Sequence, residues 1–521
     1  MGNGWRKQAK RWLVIAVGVF MVLVASGWLL ADRLMPRALG APSTTLPLQP
    51  AQTAIDRELA PLLAREKGRS GVILLPEGLD AFAARVMATR QAGRSLDVQY
   101  YIWHDDVTGR LLARELWMAA KRGVRVRLLL DDMNAVSKDA KWLALDGHPN
   151  VEIRLYNPFR NRAGIERVAE MLQRLASINH RMHNKAWIAD GRAAIVGGRN
   201  IGVEYFDASE EANFRDLDAL VFGPVVAQAS HHFDTYWNSA AVIPMSALRR
   251  KQGPMPAEVV AAMSQESRSA EARKYLQRVA SRDSLKAYAE GGLSPHWSAN
   301  LRIVADPPIK RGDQPREGWM VDGIREQLLT TQHQALLISP YFVPGEATTR
   351  YLVDAAASGK QIGIITNSLA ANDVVAVHGG YAKRRETLLR GNVQLHELKP
   401  RAVSAAGLGS SGASLHTKAY VLDGRRGFIG SFNLDPRSAY LNTEMGLMFD
   451  DPAIAAGVRE QYLRLSSPEA SYWVDLDGSG HLRWLDRAPS PPRLHRQEPG
   501  AGWMRRWNAR LMGWLPIESQ L

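Results

Sequence analysis

Residues 183–200 read HNKAWIADGRAAIVGGRN, and the spacing of six residues in this stretch is found a second time in the chain. The first set is His183, Lys185, Asp190, Gly197, Gly198 and Asn200. The segment LHTKAYVLDGRRGFIGSFN, which ends at residue 433, has the same offsets in His416, Lys418, Asp423, Gly430, Ser431 and Asn433. Six matched offsets are a poor fit to chance, so we interpret the chain as an internal duplication.

The segments that surround the two copies also repeat in the same order. A strand-like, a helix-like and two further strand-like segments precede the first copy, at 95–103, 111–123, 124–130 and 151–156. Their counterparts before the second copy are at 335–343, 348–360, 361–366 and 393–398. Alternating β and α elements predict two α/β sandwich domains with largely parallel sheets. A carboxylate follows each copy at an equivalent position, Asp216 in NFRDLDALVFGP and Glu444 in LNTEMGLMFDDP.

The composition is that of a globular protein with an anionic partner. The 521 residues are 46% hydrophobic and 23% charged, and the formal net charge is +14. This excess of positive charge fits nucleic acid or acidic lipid headgroups, and composition does not choose between them. The sequence contains no cysteine, which excludes disulfides, thiolate metal sites and a cysteine nucleophile.

The N-terminal region predicts a membrane anchor. Residues 12–31 form a run of twenty residues without a charge, which is long enough to cross a bilayer as a helix. Four basic residues precede it and two follow it, so we expect the N-terminus in the cytoplasm and the remaining chain across the membrane. The alternative is a cleaved signal peptide, although the apolar run exceeds the usual length of its apolar region.

The remaining segments complete the predicted organisation. The C-terminal stretch GWMRRWNARLMGWLP places Trp503, Trp507, Leu511 and Trp514 on one helical face. Such a helix serves equally as a membrane-surface helix or as a helix docked on the protein's own core. We divide the chain into a basic N-terminus (1–11), a transmembrane helix (12–31), a tether (32–60), a first domain (61–239), a helical connector (240–300), a second domain (301–465) and a tail with an amphipathic Trp/Arg helix (466–521).

The residue types of the duplicated motif suggest phosphodiester chemistry. The alternation of a β-strand places the histidine and the lysine of each copy on one side. Histidine is a nitrogen nucleophile, and a second, protonated histidine can give a proton to a leaving alkoxide. Lysine and asparagine can stabilise charge on the phosphoryl oxygens. Each copy supplies one histidine, so the two copies must meet in space to form one site, and such a site needs no metal or other cofactor.

Both copies resemble the HKD motif of the phospholipase D superfamily. GGRNIGVEY and GSFNLDPRS, together with SLDVQYYIWHDDVTGRLL and GVRVRLLLDDMN upstream, are similar to the bacterial cardiolipin synthase branch, in particular its type-C group. The resemblance covers roughly residues 75–465. It implies two phospholipase D-like α/β sandwich domains about a pseudo-twofold axis, with the site at their seam.

The resemblance also implies roles for the motif residues. Its catalytic set maps onto His183, Lys185, Asp190, Asn200, His416, Lys418, Asp423 and Asn433. By analogy His183 is the nucleophile and His416 the general acid. Asp216 and Glu444 would orient the histidines, with Gly198 and Ser431 as further supporting residues. Within the catalytic set, Asp190 and Asp423 are expected to support the strand and its turn more than the chemistry.

The expected function is that of a membrane-anchored phosphatidyltransferase that makes cardiolipin from phosphatidylglycerol and a donor lipid, possibly phosphatidylethanolamine. The expected location is the bacterial cytoplasmic membrane, with the catalytic domains on the periplasmic side and the lipid bilayer as partner. A hydrolytic phospholipase D and a nuclease of the same superfamily are the alternatives. Nucleic acid is not expected as a partner, because the apolar N-terminal segment and the Trp/Arg helix favour lipid. A scaffold with a decayed site is disfavoured, because both motifs are complete.

Overall fold

The computed structural model describes residues 8, 11–12, 15–24, 39–135, 139–159, 161–162, 167, 170–171, 174, 178–248, 256–310, 316–400 and 413–521. The helices from residue 39 onward are α1 (Ala54–Arg65), α2 (Gly78–Gln91), α3 (Val107–Lys121), α4 (Asp139–Asp146), α5 (Val225–Trp237), α6 (Pro256–Glu266), α7 (Ala270–Ala280), α8 (Asp283–Gly291), α9 (Met320–Leu329), α10 (Gly345–Ala357), α11 (Val375–Arg390), α12 (Pro436–Tyr440), α13 (Pro452–Leu465) and α14 (Trp503–Trp514).

The strands of the first half and the connector are β1 (Ser70–Leu75), β2 (Ser95–Tyr100), β3 (Arg125–Asp131), β4 (Val151–Tyr156), β5 (Ala186–Ala189), β6 (Ala193–Gly197), β7 (Asn213–Arg215), β8 (Asp218–Phe222), β9 (Val242–Pro244) and β10 (His296–Ser298). Those of the second half and the tail are β11 (Leu301–Ala305), β12 (Gln334–Ile338), β13 (Gln361–Asn367), β14 (Gln394–Leu398), β15 (Ala413–Leu415), β16 (Lys418–Leu422), β17 (Arg426–Gly430), β18 (Met445–Asp450), β19 (Ser471–Leu476), β20 (Leu482–Asp486) and β21 (Arg493–His495).

Two large sheets carry the duplication. The first has the order β10-β1-β8-β6-β5-β2-β3-β4-β9, and the second has the order β11-β18-β17-β16-β12-β13-β14-β19-β20-β21. The seven strands from β1 to β4 in the first sheet correspond one by one to the seven from β11 to β14 in the second. The structure therefore has the mixed α/β fold, built twice, that the repeat predicts.

The prediction of largely parallel sheets is wrong. Only β2, β3 and β4, and likewise β12, β13 and β14, pair in parallel among the strands of the two large sheets. The motif strands β5 and β6 form an antiparallel hairpin, as do β16 and β17. Helical crossovers join the parallel strands, whereas a short turn joins each motif pair and forces the antiparallel direction.

The two sheets share one hydrophobic core. Helices α5 and α13 contribute Val226, Phe233, Ile454 and Val458 to a cluster that also contains residues from strands of both sheets. Each sheet has a second core on its other face, with α2 and α3 in the first half and α9, α10 and α11 in the second. The halves thus pack as one body, which holds the two motif hairpins in a defined mutual position.

The predicted connector and tail are both partly incorporated into the sheets. β9 and β10, from the segment assigned to the connector, pair with β4 and β1 of the first sheet. β19, β20 and β21, from the segment assigned to the tail, extend the second sheet beyond β14. Edge strands as short as three residues carry little periodicity, so their sequence pattern does not distinguish them from loop.

The described part of the predicted tether contacts the first half. The buried side chain of Arg127 donates to the carbonyl of Ser43 at 2.9 Å, and that of Arg154 donates to the carbonyl of Ala41 at 2.6 Å. The Thr45 amide donates to Asp234 at 2.8 Å. An extended segment without its own secondary structure leaves its carbonyl groups open to such donors. The tether prediction is therefore wrong for 41–45, which are attached to the first domain.

Of the predicted span 12–31, the structure describes residue 12 and residues 15–24, and the others lie outside the described residues. Residues 15–24 are helical, and their side chains are exposed. Among the described residues, no helix combines the length and the apolar character needed to cross a membrane.

Candidate active site

The two motif histidines lie at the seam between the halves, each immediately before its motif strand. The His183 amide donates to the carbonyl of Thr443 at 2.9 Å, and the His416 amide donates to the carbonyl of Arg215 at 2.8 Å. Thr443 and Arg215 are the residues that precede Glu444 and Asp216. The chain before each histidine therefore pairs with the chain before the carboxylate of the other half, and the small sheet of β7 and β15 is part of this pairing.

This pairing produces a crossed arrangement of carboxylates and histidines. Glu444 of the second half lies 2.8 Å from Nδ1 of His183, and Asp216 of the first half lies 2.5 Å from Nδ1 of His416. A carboxylate partner makes Nδ1 the protonated nitrogen and leaves the lone pair on Nε2. Each histidine is thus oriented by the half of the protein to which it does not belong.

Ser431 and Gly198, which occupy equivalent positions, support the two carboxylates in different ways. The Ser431 hydroxyl donates to Glu444 at 2.5 Å, and the same oxygen accepts from the Met445 amide at 2.9 Å. At position 198, a Cβ atom would overlap the carboxylate of Asp216. In the second half, Ser431 therefore holds Glu444 by a hydrogen bond. In the first half, the absence of a side chain at Gly198 leaves room for the carboxylate of Asp216.

We expect Gly198→Ala to lower turnover by about tenfold to a hundredfold, because the added methyl group displaces Asp216 from His416. The measurement is steady-state turnover of the folded variant. Gly478→Ala is the control, since a Cβ there meets nothing within 4 Å. Wild-type turnover in Gly198→Ala would show that the position of Asp216 is unimportant.

A buried ion pair holds Glu444 from its backbone side. The Glu444 amide donates to Asp306 at 2.9 Å, and the ammonium group of Lys310 lies 2.8 Å from the same carboxylate. Burial raises the pKa of Asp306 to about 6. The sequence did not indicate Asp306 and Lys310, because they lie outside the repeated motif.

The two lysines place positive charge beside the histidines. The Lys185 ammonium group donates to the carbonyl of His183 at 2.6 Å, and that of Lys418 donates to the carbonyl of His416 at 2.5 Å. Burial lowers the pKa of Lys185 to about 7 and the pKa of Lys418 to about 8. Burial likewise raises the pKa of Glu444 to about 7 and raises that of Asp216.

The charges of the two motifs act on one another. Burial lowers the pKa of His183 and the pKa of His416 well below the ordinary histidine value, and the charges of both lysines lower them further. Since each lysine acts on both histidines, the two motifs converge on one electrostatic environment. The empty site disfavours additional positive charge, so an anion placed among these groups would favour their protonated forms.

The two motif asparagines have different surroundings. The Asn200 side chain donates to the hydroxyl of Tyr205 at 3.0 Å and accepts from the Ile102 amide at 3.2 Å. In the Asn433 side chain, which is buried, Oδ1 has no hydrogen-bond partner among the described residues. Asn433 therefore keeps a buried acceptor without a donor, whereas the Asn200 side chain is engaged by Tyr205 and Ile102.

Aromatic rings that sequence reasoning missed contact both histidines. Tyr101 meets the His183 ring edge-on at 5.1 Å between ring centres. Tyr205 meets the His416 ring in the same way at 5.1 Å, and Phe214 stacks on it at 5.2 Å. These rings restrict the imidazoles and add to their burial. The three aromatic residues are not repeated between the halves, so the duplication carried no signal for them.

The structure does not bring Asp190 and Asp423 to the histidines. Asp190 accepts from the amides of Gly93, Arg94 and Ser95, before and at the start of β2. Asp423 accepts in the same way from the amides of residues 332, 333 and 334, at the start of β12. Each aspartate lies at the opposite end of its motif strand from the histidine, roughly 20 Å along an extended chain. Their place in the catalytic set is therefore corrected to that of turn residues.

We expect Asp190→Ala to lower the free energy of unfolding by about 3 kcal/mol, because it leaves buried amide groups without an acceptor. It also places alanine at a position with φ +54°, which favours aspartate, asparagine and glycine. Thermal unfolding measures the loss, and turnover per folded molecule at low temperature should stay near wild type. A loss of turnover in fully folded protein would contradict the structural role.

Comparison with known proteins agrees with this geometry. The chain matches the protein family described as "Cardiolipin synthase, PLD-like domain" over residues 87–237 and 324–466. It is 40% identical to "Cardiolipin synthase C" of Escherichia coli (strain K12) over 88% of this chain and 98% of the relative. An uncharacterized protein of Helicobacter pylori (strain ATCC 700392 / 26695) is 35% identical over 80% of this chain and 83% of its own.

Among solved structures, the chain resembles a phosphatidylserine synthase of Haemophilus influenzae with a TM-score of 0.54. The likeness covers 87% of this chain and 95% of that chain at 15% sequence identity. At this level of identity the likeness concerns the fold alone. It extends over both halves, so the two-domain arrangement is shared.

Proposed function

Since the chain belongs to the cardiolipin synthase family of the phospholipase D superfamily and is a phosphatidyltransferase of that superfamily, we propose that it makes cardiolipin from phosphatidylglycerol and a phospholipid donor. The observation that supports this proposal most directly is the arrangement at the seam, in which Glu444 contacts His183 and Asp216 contacts His416. It presents two imidazoles, each with a free Nε2, beside two lysines. A phosphodiester has one phosphorus to attack and one alkoxide to protonate, which matches this pair.

In the first step, Nε2 of His183 attacks the phosphorus of the donor lipid. A phosphorus–nitrogen bond forms and the bond to the headgroup oxygen breaks. His416, protonated while the anionic diester is bound, gives its proton to the departing alkoxide. The product on the enzyme is a phosphatidyl-histidine. Lys185, Lys418 and the amide of Asn433 stabilise the charge that develops on the non-bridging oxygens.

In the second step, the acceptor alcohol attacks the same phosphorus. His416 takes the proton of the phosphatidylglycerol hydroxyl, the new phosphorus–oxygen bond forms, and the bond to His183 breaks. Cardiolipin leaves, and both histidines return to their starting protonation states. If water attacks instead, the product is phosphatidic acid. Transfer therefore requires the acceptor hydroxyl to reach the intermediate before water does.

We further propose that the enzyme is held in the bacterial cytoplasmic membrane by the segment 12–31. The uncharged length of this segment and the greater positive charge on its N-terminal side support one crossing, with the N-terminus inside. The catalytic domains would then lie on the periplasmic side, beside the lipid substrates.

Mass spectrometry of reaction products tests the proposed function. The purified full chain is incubated with phosphatidylglycerol, with and without isotope-labelled phosphatidylethanolamine, and His183→Ala is the control. We expect cardiolipin as the product. Label in that cardiolipin would identify phosphatidylethanolamine as the donor of the phosphatidyl group. Phosphatidic acid without cardiolipin would show a hydrolytic phospholipase D. Cleavage of added DNA without any lipid product would show a nuclease.

Anion binding should take up protons at pH 8. With pKa values of about 7 and about 8, Lys185 is mostly neutral and Lys418 is about half neutral at this pH before an anion binds. A bound tungstate dianion raises both pKa values, so about one proton enters per ion bound. Calorimetry in buffers of different ionisation enthalpy measures this uptake.

The arginine variant Lys185→Arg is the matched comparison for this proton uptake. Arginine stays charged throughout this pH range, so it should reduce the number of protons taken up. A binding enthalpy that does not depend on the buffer would contradict the expectation that these lysines are largely neutral at pH 8 before the anion binds.

A further inference from the structure

The C-terminal helix α14 docks on α11 through its small residues. A Cβ atom on Gly379 of α11 would lie 2.6 Å from the carbonyl oxygen of Ala509 and 2.9 Å from the amide of Gly513. Ala509 and Gly513 are buried. The two helix backbones therefore approach closely, and the docked arrangement left open by the sequence is realised on this face of α14.

The opposite face of α14 is apolar and exposed. The exposed fraction is 71% for Trp503, 59% for Trp507 and 87% for Trp514, and Met504 and Leu511 are exposed beside them. At about 100° per residue, these five side chains form one stripe about 100° wide. Three tryptophans on one exposed helical face form an apolar patch of the kind that marks an interaction surface. Tryptophan is also a side chain enriched at the membrane–water boundary.

The segment that carries this stripe is basic, and one arginine lies exposed at its edge. The segment 487–521 contains six arginines and two glutamates. Both glutamates face basic groups of α11: Glu498 lies 2.7 Å from Arg385, and Glu518 lies 3.8 Å from Arg384. Arg510 is exposed on the helix, one position in projection from the Trp503 edge of the stripe. An apolar face with a basic flank complements the interface of an anionic lipid bilayer.

We propose that this exposed face of α14, formed by Trp503, Met504, Trp507, Leu511 and Trp514, is a bilayer-contact surface that inserts into the interface of an anionic phospholipid membrane. It is a second contact, separate from the segment 12–31. It rests on the proposed function only in that the substrates are membrane lipids.

Hydrogen bonds connect this surface to the edge of the active site. Arg505 donates to the carbonyl of Leu369 at 2.8 Å and also to the carbonyl of Asn372. The next residue, Asp373, accepts from the Tyr341 hydroxyl at 2.8 Å, and its charge raises the pKa of Lys418 against the lowering effect of burial. Insertion of α14 would therefore hold the second-motif side of the seam at the bilayer surface.

The chain ends against the same side of the seam. The carbonyl of Leu521 accepts from the Arg437 amide at 2.6 Å, in the short helix α12 that follows the second motif. Exposed apolar side chains lie on both neighbouring segments, Tyr440 in α12 and Val374 directly before α11.

Site-directed fluorescence tests the surface directly, since the natural chain has no cysteine. Trp507→Cys in the full chain is labelled with the NBD fluorophore and reconstituted in nanodiscs that contain phosphatidylglycerol. We expect a blue-shifted emission and quenching by doxyl-labelled lipids. Ser479→Cys, in an exposed turn of the second half, is the control and should stay open to aqueous iodide. Equal iodide quenching at 507 and 479, without lipid quenching at 507, would overturn the proposal.

Turnover on bilayers compared with turnover in detergent micelles distinguishes a loss of membrane contact from a loss of catalytic chemistry. The triple variant Trp503→Ser, Trp507→Ser, Trp514→Ser should lose about tenfold or more of its turnover on bilayer substrate and keep its turnover in detergent micelles. Asn508→Ala, exposed on α14 outside the stripe, should keep both. Equal losses in bilayers and micelles, or no loss in either, would overturn the proposal. Lipid quenching at 507 in a protein that makes no cardiolipin would support the surface and refute the proposed function.

Discussion

Alanine in place of His183 or His416 should lower transferase turnover by about ten-thousandfold or more, because in the proposed mechanism each histidine performs a step that nothing else in the site replaces. The double variant should be no slower than the slower single variant, since the two groups act as a unit. Release of labelled cardiolipin measures the loss. His481→Ala, at an exposed histidine, is the control and should keep wild-type turnover. Retained turnover in both single variants would contradict the mechanism.

A donor lipid with a good leaving group separates the two histidine roles. Phosphatidyl-p-nitrophenol releases p-nitrophenolate, which departs without a proton. The first turnover of His416→Ala should therefore recover on this donor, with a phosphatidyl group trapped on His183. His183→Ala should not recover, because it lacks the nucleophile. The opposite pattern would exchange the roles of the two histidines.

Glu444→Gln and Asp216→Asn should each lower turnover by about a hundredfold or more, because each removes the carboxylate that fixes the tautomer of a catalytic histidine. Both substitutions keep the shape of the side chain. The measurement is turnover on the natural donor, with Glu211→Gln, at an exposed glutamate of the first half, as the control.

Because each carboxylate contacts the histidine of the other half, the two carboxylate variants should respond differently to phosphatidyl-p-nitrophenol. Glu444 contacts His183 and Asp216 contacts His416. On phosphatidyl-p-nitrophenol, Asp216→Asn should therefore recover its first turnover as His416→Ala does, whereas Glu444→Gln should remain slow as His183→Ala does. If each carboxylate variant instead followed the histidine of its own half, the bracing across the seam would be refuted.

The sequence predicted the parts of the fold that have local signals. β2, β3 and β4 and their second-half counterparts appear at the strand-like segments that the sequence predicted, because buried parallel strands are rich in β-branched and other apolar residues. β9, β10 and β19 to β21 were assigned to a connector and a tail. β9, β10 and β19 pair with strands far away in sequence, and such partners leave no mark in a short segment; β20 and β21 extend the sheet from β19.

The site shows the same division. The repeated offsets identified both histidines, both lysines and the carboxylates that follow them, because a duplicated site preserves spacing along the chain. Phe214 and Asp306 were missed, since both lie outside the repeated motif offsets. Gly198 was found as a motif residue, but only the proximity of Asp216 explains why it carries no side chain.

The sequence by itself indicated that two copies of one motif combine into a single site, and it identified the two histidines, the two lysines and the following carboxylates that lie there. Only the tertiary structure decided that Glu444 orients His183 and Asp216 orients His416, and that the tryptophan face of α14 remains exposed after the helix docks. The repeated spacing relates only residues that belong to the same half. The partner of each histidine is instead set by the backbone bonds that pair the chain before it with the other half, and by the hydrophobic core that the two sheets share.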